Sequence, residues 1–347
     1  MPTPNRHAWS DVATIGKPFF ESAMRWRART ALGGVVGLLL ALNALNVVNS
    51  YVGRNFVTAI SERNHERYFM FAGLYLLVFA ASTVTGVFAQ FVQDRLALTW
   101  REWLTRHLLT RYLSGRAFDR ISANREIDNP DQRIAEDVRT FTSTLLSFVV
   151  MAVNSVLTTV AFAGVLWSIA PSLLLTAILY ASAGSLFTIL LGRRLVQLDN
   201  LQLKKEADLR YGLIHLRERA TPSGERAQAI EERRIIARLR RVVHNTRAII
   251  GVNRNVGLFT SGYNYLVQLL PILIVAPRYL RGEIAFGVVT QSAMAFAQLL
   301  GAFSLIVVQF QSISAFAAVS RRLGSLWQEM NASPYAVGRL PASDSIA

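Results

Sequence analysis

Chemistry on a nucleotide would need a lysine set between a glycine and a hydroxyl residue, where its ammonium reaches the terminal phosphates. The lysines here are Lys17, Lys204 and Lys205, and none fits, because Gly16-Lys17 runs into Pro18. His7, His65, His107, His215 and His244 include no pair at metal-ligand spacing. Cysteine is absent, which excludes thiolate zinc, disulfides and a cysteine nucleophile. The sequence is therefore expected to hold no catalytic residue, no metal and no cofactor of its own.

What remains is a set of amides in apolar surroundings. Asn43, Asn46 and Asn49 stand three apart. Ser261, Asn264 and Gln268 share one helical face. Gln291, Gln298 and Gln309 fall at nearly one angle for a helix turning about 100° per residue. Such stripes either hydrogen-bond helix to helix or line a water-filled cargo path, and the sequence leaves both readings open. The small residues Gly33 and Gly37, and Ala293, Ala297 and Gly301, are spaced four apart and mark close helix packing.

A second group is charged. Asp128, Asn129, Pro130, Asp131, Gln132 and Arg133 read as a turn and a helix start, followed by Glu136 and Asp137. Asn129 can cap this helix and Pro130 suits its first position. A negative charge at Asp131 favours the first-turn dipole. The plain reading is a solvated charged face. The functional one is a rigid tip on which a partner docks.

The elements that must hold these groups follow from the charge distribution. Only 17% of the 347 residues are charged, 52% are apolar, and the mean hydropathy is +0.31. Charge is absent from residues 30–53, 68–93, 140–192, 255–277 and 284–320. A bilayer core takes about 20 apolar residues as helix. The longest stretch divides at Ala170-Pro171-Ser172, where proline ends one helix and can open the next. Six spans result, at about 30–53, 68–93, 141–169, 172–192, 255–277 and 284–310. The class is all-α and polytopic. No carboxylate lies in the uncharged stretches, so no intramembrane proton relay of the usual kind is expected.

Of 37 lysines and arginines, 32 fall on the side of residues 1–29, 94–139, 193–254 and 321–347, and 5 on the other. The positive-inside rule then places both ends in the cytosol of a plasma (bacterial inner) membrane. It also accounts for most of the +15 net charge without nucleic acid, leaving anionic inner-leaflet lipid as the partner of the basic surface. Residues 94–112 and 199–216 keep helical periodicity past the spans, as Leu96, Trp100, Leu104 and Leu108 show. Two long helical hairpins should therefore extend into the cytosol, the second interrupted at Ala220-Thr221-Pro222-Ser223-Gly224.

Six spans with two such hairpins resemble the transmembrane domain of a type I ABC exporter. Residues 127–138, IDNPDQRIAEDV, resemble the first-hairpin motif of the branch holding peroxisomal fatty-acyl half-transporters and SbmA/BacA-like bacterial transporters. Leu270-Pro271-Ile272-Leu273, Ala276-Pro277-Arg278-Tyr279, Gly282-Glu283-Ile284 and residues 291–302 resemble the same branch. The resemblance covers about residues 15–330 and implies a homodimeric permease driven by an ABC ATPase. Arg321-Arg322-Leu323 is followed by a short tail, so the ATPase, with its ATP, is expected in trans. Cargo would be peptide, lipid-like or of another kind. An ATPase-independent SbmA/BacA-like carrier, or a truncated or regulatory membrane protein without transport, stands as the alternative.

Overall fold

The computed structural model describes residues 6–113, 118, 129–218 and 225–331. These are helical almost throughout, and among them no strand occurs. The helices are α1 (Arg6–Glu21), α2 (Arg25–Ser61), α3 (His65–Leu113), α4 (Pro130–Ile169), α5 (Pro171–Glu218), α6 (Glu225–Leu280), α7 (Phe286–Val308) and α8 (Phe310–Asn331). Six of them, α2 to α7, are long and apolar enough to cross a membrane. The all-α polytopic class expected from the uncharged stretches is what the chain adopts.

Local chemistry sets the breaks. Arg63 takes a left-handed φ of 55° after α2, and the Asn64 side chain then accepts the Arg67 amide at 3.0 Å to start α3. This connection is shorter than the charge pattern predicts, since α2 continues through residues 54–61. Phe56 stacks 6.1 Å from Tyr75 and lies 5.4 Å from Tyr68, which holds that extra turn against α3. Pro171 opens α5 directly after Ala170, as the turn signal predicts. Gly282, at φ 75°, supplies the left-handed residue after α6. Glu283 beside it bonds Arg281 at 2.6 Å, which holds its carboxyl below the usual carboxylate range.

The described residues divide into two compact units, one from residues up to Val165 and from Val308 onward, the other from Leu166 to Val307. In the first, α1 and α8 join the charged ends of α3 and α4 in one apolar core. Trp100, Leu104 and Leu108 of α3 meet Val138 and Phe141 of α4, Ile15 and Phe19 of α1, and Leu323 and Leu326 of α8. Phe19 stacks on Trp100 at 5.4 Å, and Phe141 on Phe316 at 5.6 Å. Each such burial contributes about 1.5–3 kcal/mol. The first hairpin is thus half of a four-helix assembly.

In the second unit α5 and α6 run side by side. Their charged ends are joined by buried Asn245, which donates to the Leu198 carbonyl at 2.9 Å and to Gln202 at 2.8 Å, and accepts from Lys205 at 3.2 Å. At the opposite end Arg278 donates to the Ile169 carbonyl at 2.9 Å, satisfying an orphan group at a helix C-terminus.

Candidate coupling and cargo-path sites

The turn at Asn129 is built differently from its sequence reading. Pro130 does occupy the first helical position and Asp131 the first turn. Asn129 makes no side-chain cap bond, because its backbone takes a left-handed φ of 48°. Cap geometry needs an extended residue there, and this one is not. Asp128 lies outside the described residues.

From Arg133 to Asp137 the helix widens into a π-turn, whose register is marked by the Val138 amide bonding the Arg133 carbonyl. Such bulges recur at functional sites. This one sorts the motif into two faces. Arg133, Ile134 and Asp137 are buried, whereas Asn129, Asp131, Gln132 and Glu136 are exposed. Gln132 bridges to Glu136 across the exposed face at 3.3 Å.

The buried face closes on α8. Asp137 accepts two bonds from the Arg322 guanidinium, at 2.8 and 2.7 Å. Arg133 donates to the Arg322 carbonyl at 2.9 Å and to the Ser325 hydroxyl at 2.8 Å. Hydrogen bonding to Asp137 is the main reason that the Arg322 guanidinium holds its proton more tightly than an ordinary arginine. Arg133 and Asp137 therefore clamp the start of α4 to α8. Among the described residues of the motif, Asn129, Asp131, Gln132 and Glu136 are the exposed ones that can meet a partner, with Pro130 half-buried beside them. Sequence reading placed Arg322 in the short tail after the last span and did not single out Ser325. Their partners lie 185 and 192 positions away, so no local spacing reports them.

The amide stripes separate in the same manner. Asn43 is buried and donates to the Leu39 carbonyl at 2.9 Å and to Asn154 at 3.0 Å, while Thr158 donates to it at 2.9 Å. It bonds α2 to α4 through Asn154 and Thr158. Two such bonds in a membrane stabilise by about 0.6 kcal/mol each. Asn43→Val should accordingly lower the stability of the detergent-purified chain by only about 1 kcal/mol. A loss of several kcal/mol on thermal unfolding would show that Asn43 does more than join two helices. Asn46 and Asn49 are half-buried on the same helix.

In the second unit Ser261, Asn264 and Gln268 are exposed on α6, and Gln298 on α7. Amides on the outside of a spanning helix are poorly placed against hydrocarbon and suit water or a second protein surface. Gln291 is buried instead. A turn at Gln309 separates α7 from α8, so this residue does not continue the α7 stripe. The nearly common angle of the three glutamines assumed one unbroken helix.

Between α5 and α6 lies a groove of about 330 Å³ lined by Tyr180, Phe187, Phe259 and Tyr263. Tyr180 stacks on Tyr263 at 4.3 Å and donates its hydroxyl to the Tyr263 carbonyl at 2.8 Å. Gly184 makes this contact possible: a Cβ there would collide with the Tyr263 ring. Among the described residues no group of carboxylates and histidines could hold a metal.

With this geometry in hand, comparison with known proteins is specific. Residues 15–280 match the family described as ABC transporter transmembrane region 2. ABC transporter D family member 2, chloroplastic, of Arabidopsis thaliana is 38% identical over 320 residues, covering 91% of this chain and 45% of that protein. An uncharacterized ABC transporter ATP-binding protein of Synechocystis is 35% identical over 311 residues, covering 88% and 47%. The inner membrane ABC transporter ATP-binding protein YddA of Escherichia coli is 24% identical over 315 residues, covering 84% and 54%. The chain spans about half the length of these curated relatives.

Proposed function

The chain belongs to the ABC transporter transmembrane region 2 family, a membrane region of ABC-type transport, and on that premise we propose how it works. It acts as a homodimeric permease in a bacterial inner membrane, with both ends in the cytosol. An ABC ATPase drives it by docking on the exposed face formed by Asn129, Asp131, Gln132 and Glu136. Cargo of peptide or lipid-like character passes along the exposed amides Asn264, Gln268 and Gln298. The basic surface rests on anionic lipid, and nucleic acid has no part.

One observation carries this reading. The helix that starts at the proposed docking face passes through its π-turn at Arg133–Asp137 and continues to Ile169, through an apolar stretch long enough to span. A push at one end is therefore delivered to the membrane by a single rigid element. The family match supports the transport role, and the inner-membrane name of the Escherichia coli relative agrees with the location proposed. Uptake of a labelled peptide and a labelled lipid-like probe into proteoliposomes containing the chain and an ABC ATPase tests the reading. Accumulation of neither probe would refute the cargo assignment.

The dimer rests on α7. Ala297, Gln298 and Gly301 are exposed there, with small side chains one turn apart that permit close helix approach. Single cysteines at Ala297 or Gly301 are expected to crosslink between copies in native membranes, against a background free of native thiols. A transport-competent chain that stays monomeric by native mass measurement would contradict this.

A further inference from the structure

At the charged ends of α2 and α3 lies a cleft of about 410 Å³ that transport leaves unused. It is lined by Met24, Glu102, Trp103, Arg106, His107 and Arg111, with Thr110 between the two arginines. Trp103 and His107 give it aromatic surface, and among its described lining residues Arg106 and Arg111 outnumber the one carboxylate, Glu102. The arginines are held in place. Arg106 pairs with Glu102 at 2.8 Å, both side chains exposed, and Arg111 stacks over Trp327 at 5.5 Å. His107 is sandwiched between Trp103 at 5.0 Å and Trp327 at 5.3 Å. Its buried Nε2 has no hydrogen-bond partner among the described residues. Burial, reinforced by the Arg111 charge, lowers the proton affinity of this imidazole. At neutral pH it is therefore a neutral hydrogen-bonding group.

The Met24 end of the cleft lies toward the apolar stretches, while Arg106 and Arg111 stand further out, beyond the uncharged stretch of α3 that ends at Gln93. Met24 immediately precedes α2, and the apolar stretch of α2 begins at Thr30, about 9 Å further along at ~1.5 Å per residue. The exposed Trp26 and the exposed Arg25, Arg27 and Arg29 fill that interval. Tryptophan and arginine at this level are anchors for the headgroup layer.

We propose that this cleft binds a phosphate-bearing ligand, its phosphate on Arg106 and Arg111 and its less polar part against Met24 and Trp103. Guanidinium groups suit phosphate through paired N–H donors. The exposed Glu102–Arg106 pair is of the kind worth little in water, so a phosphate can compete for Arg106. An anionic lipid headgroup and a soluble phosphate share this chemistry. The site is separate from the coupling face and from the amide stripes, and it stands whether or not the transport reading holds.

Native mass measurement on the detergent-purified chain tests it, titrating short-chain phosphatidylglycerol, phosphatidylcholine and, in a separate arm, AMP. One saturable adduct per chain is expected, weakened about fivefold by Arg106→Gln and about as much again when Arg111→Gln is added. Arg247→Gln, an exposed arginine elsewhere, should leave it unchanged. Saturable phosphatidylglycerol binding without AMP binding assigns a lipid, and the reverse assigns a soluble ligand. Arg106 is exposed on the α3 surface and outside the apolar core, so its single variant remains informative if the double variant misfolds. Adducts equally strong in parent and Arg106→Gln, or no saturable adduct with any probe, would overturn the proposal.

Discussion

Replacing Asp137 with Asn is expected to destabilise the charged-end core by about 1.5–3 kcal/mol, the range for hydrogen bonds to charged groups. The carboxylate is buried and holds both arms of the Arg322 guanidinium, while the Arg322 side chain itself is 49% exposed. Water can recover part of the loss at Arg322, which keeps the cost below the 3–5 kcal/mol or so of a fully buried pair. Arg133 should still hold the Arg322 carbonyl and Ser325, so α4 and α8 loosen without separating. Arg322→Gln should cost a similar amount. The double variant should cost less than the sum, since each single change already removes the shared pair. Thermal unfolding of the four purified proteins provides the cycle. Strict additivity would show that the two side chains do not depend on each other.

The second large effect is functional and falls on the opposite face of the same turn. Asp131→Ala and Glu136→Ala remove exposed carboxylates that the core does not use. Loss of the first-turn charge at Asp131 costs only about 0.3–1 kcal/mol of helix stability. The amount of inserted protein should accordingly match the parent. ATP-dependent uptake per inserted molecule should fall at least about fivefold, the lower end of a coupling energy between two sites. Asp137→Asn should show the reverse pattern, losing stability first. Equal uptake per molecule for Asp131→Ala, Glu136→Ala and the parent would leave this face a solvated surface.

The contrast between these two carboxylates marks how far a single sequence can be read. The membrane helices were legible because charge is absent from them over lengths that only a bilayer or a fully buried helix tolerates. Pro171 and Pro130 were legible because proline's fixed φ suits the first helical position. The faces of the Asp131–Asp137 turn were not. Helical periodicity cannot anticipate a π-turn, and the partners that bury Asp137 and Arg133 come from the far end of the chain. Asn43 shows the same limit, since an asparagine stripe looks alike whether it faces water or Asn154 and Thr158. Helix α1 did leave a signal in Val12, Ile15 and Phe19 at helical spacing, beside a proline at Pro18. Its spacing foretells a buried face, and only the fold shows that α8 covers it.

The central claim is that this membrane domain moves cargo with energy delivered from ATP. Its most direct measurement is cargo accumulation in sealed proteoliposomes holding the chain and an ABC ATPase, with ATP, with a non-hydrolysable analogue, and with a proton gradient alone. Accumulation that requires hydrolysable ATP, and that the gradient alone does not support, is the expected result. Accumulation under the proton gradient alone, unchanged when ATP is withheld, would contradict the account.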